Sequence, residues 1–130
     1  MMDSPLSGKR VLVVEDEIMV SWLLEDMLAN LGCVVIGPAV RVDQALAIIE
    51  SEPLDAAVVD LNLNGQFSYP VADALAALGV PFVFSSGYSQ DRLLEKYRSF
   101  PILQKPFHRS ELAEVLAKLL TPRSKAARQQ

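Results

Sequence analysis

Val11-Leu12-Val13-Val14-Glu15-Asp16-Glu17 is the stretch on which the reading of this 130-residue chain turns. Four consecutive apolar residues run straight into three acids. Unbroken apolarity suits a strand covered on both faces rather than one with a wet side. The acids at its carboxyl end then stand where open α/β sheets keep their functional sites. Similar short runs recur at Cys33-Val34-Val35-Ile36, Ala56-Ala57-Val58-Val59, Phe82-Val83-Phe84 and Ile102-Leu103.

Helical patterns lie between these runs. Val42, Ala45, Leu46 and Ile49 recur at i, i+3, i+4 and i+7, as do Val71, Ala74, Leu75 and Leu78, and Leu112, Val115, Leu116 and Leu119. Residues 17–31 have a broader apolar face including Val20, Leu23, Leu24, Met27 and Leu31, with Gly32 placed as the stop. Residues 89–98, around Leu93, Leu94 and Tyr97, form a shorter, more polar helical segment. Pro53, Pro81 and Pro101 punctuate the approaches to the last three strands. Five β-α repeats predict an α/β, doubly wound (βα)5 fold: a parallel five-stranded sheet with helices on both faces. Right-handed crossovers favour the strand order 2-1-3-4-5. One domain is expected over residues 8–120, after an N-terminal extension, 1–7, and before a polar basic tail, 121–130, that would open a linker in a longer chain.

Composition narrows the function classes. Apolar residues make up 51% and charged residues 22%, so the chain can bury a core. The net charge is −4, and the last ten residues hold Arg123, Lys125 and Arg128 but no acid. All sixteen acids therefore lie in residues 1–120, an acidic body unsuited to binding nucleic acid through a broad electrostatic surface. No apolar run approaches a membrane span, and Met1–Gly8 lack the features of a signal peptide. With a single cysteine, these features point to the cytoplasm. Cys33 excludes an internal disulfide and any multi-cysteine zinc site, and reads as a buried, inert thiol.

The strand ends carry the chemistry. Glu15-Asp16-Glu17 follow the first strand, Asp60-Leu61-Asn62 the third, Ser85-Ser86-Gly87-Tyr88 the fourth and Lys105-Pro106-Phe107 the fifth. The second ends in Gly37-Pro38 and offers none. In the expected order the first and third strands are neighbours, so Glu15, Asp16 and Asp60 form one cluster. Three close carboxylates do not all stay ionised without a cation. Ligation by carboxylates, a backbone carbonyl and waters suits Mg²⁺. One acid alone is an ordinary solvated side chain; three converging opposite a lone Lys and a hydroxyl are a site. No G-x-G-x-x-G or G-x-x-x-x-G-K-[ST] loop is present, and Glu-Asp-Glu would repel a phosphate unless a metal bridged them. His108 opens the last helix and is read as capping or solvating its terminus, not as a base.

These motifs resemble the response-regulator receiver domain of two-component signalling over about residues 8–120. The likeness rests on Val-Leu-Val-Val-Glu15-Asp16-Glu17, Val-Val-Asp60-Leu-Asn62-Leu, Phe84-Ser-Ser86-Gly87-Tyr88 and Gln-Lys105-Pro106-Phe107, in order and at the right strand ends. It implies a flavodoxin-like receiver fold with Asp60 as phosphoacceptor. It further implies Asp16 as a direct Mg²⁺ ligand, Glu15 as a ligand through water and Asn62 as a ligand through its backbone carbonyl, with Mn²⁺ as a substitute ion. Ser86 and Lys105 would contact the phosphoryl group, and a cis peptide would join Lys105 to Pro106. Gly87, lacking a side chain, leaves room for the phosphoryl group at the backbone.

One departure stands out. Ile102 occupies the position where many receivers carry a switching Tyr or Phe. Pro81-Phe-Val-Phe-Ser-Ser-Gly-Tyr88 instead resembles the FAT GUY receivers, whose usual Ala-Thr is Ser85-Ser86 here. Such receivers are often stand-alone and paired with HWE-type kinases. Tyr88 is then expected to take part in the switch or to screen the acyl phosphate, its bland role being packing.

The implied function is that of a stand-alone response regulator, not an enzyme beyond its own phosphoryl transfer and autodephosphorylation. A histidine kinase or phosphotransfer protein would phosphorylate Asp60. Output would be contact with a downstream protein through the face of the fourth helix, fifth strand and fifth helix, by a monomer or a phosphorylation-dependent dimer. Arg92, Lys96 and Arg98 put basic charge on that fourth segment, as a partner surface or a solvated face. The alternatives are a receiver cut from a longer regulator, a pseudo-receiver that is never phosphorylated, and an Mg²⁺-dependent phosphohydrolase with an Asp nucleophile. Against the last, the second position of the expected Asp-x-Asp is Asn62.

Overall fold

The computed structural model describes residues 6–87 and 94–120. Tyr88, Arg92, Leu93, the first five residues and the 121–130 tail lie outside the described residues. Among the described residues, seven strands and four α-helices follow in the order β1 (Arg10–Val14), α1 (Ile18–Asn30), β2 (Val34–Ala39), α2 (Val42–Ser51), β3 (Ala56–Asp60), β4 (Asn62–Leu63), β5 (Gln66–Phe67), α3 (Tyr69–Ala77), β6 (Phe82–Ser86), β7 (Ile102–Gln104) and α4 (Arg109–Leu120). The main sheet is β2-β1-β3-β6-β7 and every pairing in it is parallel. Counting its strands alone, that is the expected order 2-1-3-4-5. No described helix is long and apolar enough to cross a membrane.

Alternation along the strands feeds two cores. Leu12, Val14, Val59, Phe82 and Phe84 pack under α2 and α3; Val11, Val13, Val58, Val83 and Leu103 pack with Leu24 and Leu28 of α1 and Leu112 and Leu116 of α4. The three central strands β1, β3 and β6 are buried nearly end to end, as their sequences predict. The carbonyls of Pro81 and Pro101 accept from Ala57 and Phe84, so two of the prolines ahead of strands contribute to the ladders.

Four expectations need correction. The second run is an edge strand, not one covered on both faces, and Val34 is 43% exposed. Nor does it stop at Gly37-Pro38: it continues through a register shift to Ala39, with a cis Gly37-Pro38 peptide. Gly37 has φ +99°, and a Cβ there would lie 2.9 Å from the Val13 carbonyl oxygen. On α1 the inward residues are Ser21, Leu24 and Leu28, so Leu23 faces outward. That helix is apolar almost all round, so periodicity alone does not choose its face. It ends where expected: Gly32 (φ +89°) donates to the Ala29 carbonyl and Cys33 to that of Leu28. The fourth helical segment, in its described part, is a single 3₁₀ turn, Glu95–Tyr97.

Candidate functional site

β1, β3, β6 and β7 deliver their carboxyl ends to one edge of the sheet. Glu15 leaves β1 with its N–H bonded to the Ala39 carbonyl at 2.9 Å, so the extra length of β2 braces it. Its side chain is almost completely buried. Asp60 closes β3 and is 6% exposed; Asp16 is half-buried at the rim. Carboxylate oxygens of Glu15, Asp16 and Asp60 all lie within 4.8 Å of one another. From β7, Lys105 places Nζ 3.0 Å from Glu15 Oε1, 3.4 Å from Asp60 Oδ2 and 3.6 Å from Glu17 Oε1. Two backbone donors assist: the Glu17 N–H reaches Glu15 Oε2 at 3.1 Å, and the Asn62 N–H reaches Asp60 Oδ1 at 3.3 Å.

The charges do not balance. Burial, then the neighbouring Glu15 charge, pushes the Asp60 carboxyl up to about 7, against the pull of Lys105 and the Asn62 N–H. Burial opposes the Lys105 charge too, but Asp60 and Glu15 outweigh it and raise its pKa. One ammonium thus serves several acids. An all-oxygen cluster short of positive charge fits a hard divalent cation such as Mg²⁺. Asp16, Asp60, Asn62, Asn64, Ser86, Gly87 and Lys105 line an open cleft of about 590 Å³ at this edge. Among the described residues the expected site residues therefore meet, apart from Ile102; Tyr88 lies outside the described residues. Ile102 starts β7 and packs on the α2–α3 core instead. The Lys105–Pro106 peptide is cis.

The sequence reading missed three features. Asn64 (φ +54°) and Gly65 (φ +89°) turn the β4–β5 hairpin that forms one wall of the cleft. Asn-Gly between extended residues is the signal that would have found it. Ser68 is fully buried at the N-cap of α3, yet its hydroxyl makes no cap bond. It donates instead to the Asp60 carbonyl at 2.6 Å and approaches the Leu61 carbonyl at 3.2 Å, closing the 61–68 loop. Ser68→Ala is expected to lower stability by about 1–3 kcal/mol, because buried carbonyls lose a donor; a urea melt checks this. Lastly, Tyr97 supplies a buried aromatic that Ile102 does not. Its ring stacks on Tyr69 at 4.3 Å and meets Phe84 edge-on at 6.2 Å, and its hydroxyl donates to Asp73 Oδ1 at 2.8 Å. His108 joins a capping arrangement through its backbone: its N–H donates to Glu111 Oε1 at 2.7 Å.

Comparison with known proteins agrees with this geometry. The family model described as response regulator receiver domain matches residues 11–117. The transcriptional regulatory protein PdtaR of Mycobacterium tuberculosis is 29% identical over 108 residues, which cover 80% of this chain and 53% of that protein. The chain thus spans about half the length of this curated relative. The solution structure of SdrG from Sphingomonas melonis Fr1 is 44% identical, with a TM-score of 0.78, covering 91% of this chain and 99% of that one. The receiver domain of sensor histidine kinase PA1611 from Pseudomonas aeruginosa PAO1, with magnesium coordinated in its active-site cleft, is 26% identical (TM-score 0.76; 88% and 98% covered).

Proposed function

The chain belongs to the response regulator receiver domain family, and on that footing we propose that it is a stand-alone response regulator accepting a phosphoryl group on Asp60. The observation that carries this reading is the Glu15–Asp16–Asp60 cluster bridged by Lys105. Glu15, Asp16 and Asp60 side chains and the Asn62 carbonyl would hold Mg²⁺, or Mn²⁺ in its place. Bound there, the ion supplies the positive charge that keeps Asp60 ionised and attracts an anionic donor. Asp60 then acts as nucleophile. A carboxylate oxygen bonds to phosphorus and the donor's P–N bond breaks; the leaving imidazole nitrogen keeps the electron pair and takes a proton from solvent. Transfer of this kind depends mainly on positioning and charge stabilisation. Lys105 pairs with a phosphoryl oxygen, Ser86 donates to another, and Gly87 leaves room beside them.

The donor is a histidine kinase, of HWE type, or a phosphotransfer protein. A docking surface adjoins the cleft. Ile18, Met19, Trp22 and Leu23 of α1 are 60–66% exposed, and α1 begins directly after Glu17. Trp22→Ser is expected to slow transfer from a kinase by roughly 30-fold, as for an interface anchor, with small-molecule phosphorylation unchanged; equal kinase rates would remove α1 from the docking surface. Output runs through a downstream protein on the fourth segment, β7 and α4, or through dimerisation, in the cytoplasm. The match over 99% of SdrG supports the stand-alone reading. Intact mass after incubation with Mg²⁺ and acetyl phosphate tests the proposal. One added phosphoryl group, lost with EDTA, is expected; no adduct in Mg²⁺-bound protein would favour a pseudo-receiver.

A further inference from the structure

Ser85 holds the one buried side-chain polar atom among the described residues that lacks a hydrogen-bond partner. It is 1% exposed and lies near the carboxyl end of β6, between β3 and β7. A hydroxyl left in that condition destabilises the resting fold, and alanine would fit the same strand position at less cost. Its placement is specific. Ser85 is in register with Asp60 on β3 and with Leu103 on β7. Alternation puts its side chain on the Val83 side of the sheet, which also carries Val58 and Leu103. Asp60 follows Val58 by two residues and Lys105 follows Leu103 by two, so all three side chains share that side. The orphan hydroxyl is thus the cross-strand neighbour of the phosphoacceptor.

Resting on the reading of Asp60 as phosphoacceptor, we propose that Ser85 is a positioning residue whose hydroxyl donates to the Asp60 carboxyl group in the phosphorylated state. At rest the Asp60 carboxyl group is served by the Lys105 ammonium and the Asn62 N–H. Once one oxygen bonds to phosphorus, the negative charge lies on the phosphoryl group and draws Lys105 outward. The other oxygen becomes a neutral acyl carbonyl deprived of its ammonium. A neutral hydroxyl on the adjacent strand, with no partner to give up, matches that acceptor. Its cost at rest is recovered on phosphorylation, which biases the chain toward the modified state.

The test uses the full chain, Mg²⁺ and beryllofluoride, a phosphoryl mimic that binds a carboxylate oxygen. Calorimetry measures affinity for wild type, Ser85→Ala and Ser85→Cys, and urea melts measure each without ligand. Ser85→Ala is expected to bind roughly fivefold more weakly, while its ligand-free midpoint rises by roughly 0.5 M urea. Ser85→Cys, a weak donor, follows the affinity loss. A purely structural hydroxyl would not move the two readouts in opposite directions. Unchanged affinity in Ser85→Ala, or a lowered ligand-free midpoint, overturns the proposal and leaves the site intact. A wild-type chain that binds no beryllofluoride overturns the phosphoacceptor reading and this proposal with it.

Discussion

Replacing Asp60 with Asn is expected to abolish phosphoryl acceptance and, at pH 8 without divalent cations, to make the protein more stable than wild type. The two effects share a cause. Burial and the Glu15 charge raise the Asp60 carboxyl from the ordinary 3.8 to about 7. A raised acid pKa means the native state binds the proton more tightly than the unfolded chain does. The stability this provides is fully present below about pH 4 and is lost as pH rises through about 7. Asn keeps the shape and an acceptor for the Asn62 N–H but carries no charge at any of these pH values. The variant's advantage should therefore be small at pH 4 and largest above pH 7, on the order of 1–2 kcal/mol after allowance for screening. Mg²⁺ is expected to reverse the ranking: at a hundredfold excess over its Kd it stabilises a binding-competent protein by about 2.7 kcal/mol, and the Asn variant would lack one of the carboxylates proposed to hold it. Urea melts at pH 5 and 8, with and without Mg²⁺, together with intact mass, check all of this. A variant less stable than wild type at pH 8 without Mg²⁺ would show that the site does not hold surplus negative charge.

Much of that site was legible from residue order because a parallel sheet sends every strand's carboxyl end to the same edge. Once Val11–Val14, Ala56–Val59 and Phe82–Phe84 are read as central strands, Glu15, Asp60, Ser86 and Lys105 converge without further information. Legibility fails where tertiary context chooses among local options. Cys33–Ile36 is as apolar as the central runs, but its place at the sheet edge leaves Val34 partly wet. Residues 17–31 offer several apolar faces, and packing selects Leu24 and Leu28 while leaving Trp22 and Leu23 to solvent. Ser68 stands at the N-cap of α3, ahead of a Pro-containing helix start, yet its hydroxyl turns back to the Asp60 carbonyl, which no local pattern announces. For Ser85 the sequence records only a hydroxyl in a strand. That it lacks a partner, and stands across from Asp60, follows from pairing between segments 25 residues apart.

Lys105→Met is expected to lower stability by about 3 kcal/mol at pH 8 without Mg²⁺, the low end for breaking a buried ion pair. Met preserves the apolar stem, which lines a groove with Val20, Pro106 and Phe107, so the loss reports on charge rather than packing. Without Nζ, the Glu15 carboxylate, whose side chain is 1% exposed, and that of Asp60 face each other with no ammonium. Protonation of Asp60, whose carboxyl burial and the Glu15 charge already push up to about 7, becomes the relief, so the variant should regain stability as pH falls from 8 to 5. A divalent cation offers the other relief. Saturating Mg²⁺ should bring the variant's urea midpoint close to that of cation-loaded wild type, since the ion neutralises the same carboxylates. Phosphorylation by acetyl phosphate should remain lost in that Mg²⁺-bound variant if Lys105 pairs with a phosphoryl oxygen as proposed, because the ion would restore charge balance at the carboxylates but not that ammonium contact. The two roles of the ammonium, counterion at rest and phosphoryl partner in transfer, are thereby separated in one variant. If Lys105→Met matches wild type in cation-free urea melts at pH 8, the resting bridge between Glu15 and Asp60 contributes nothing; if its Mg²⁺-loaded form is phosphorylated at the wild-type rate, Lys105 has no part in the transfer.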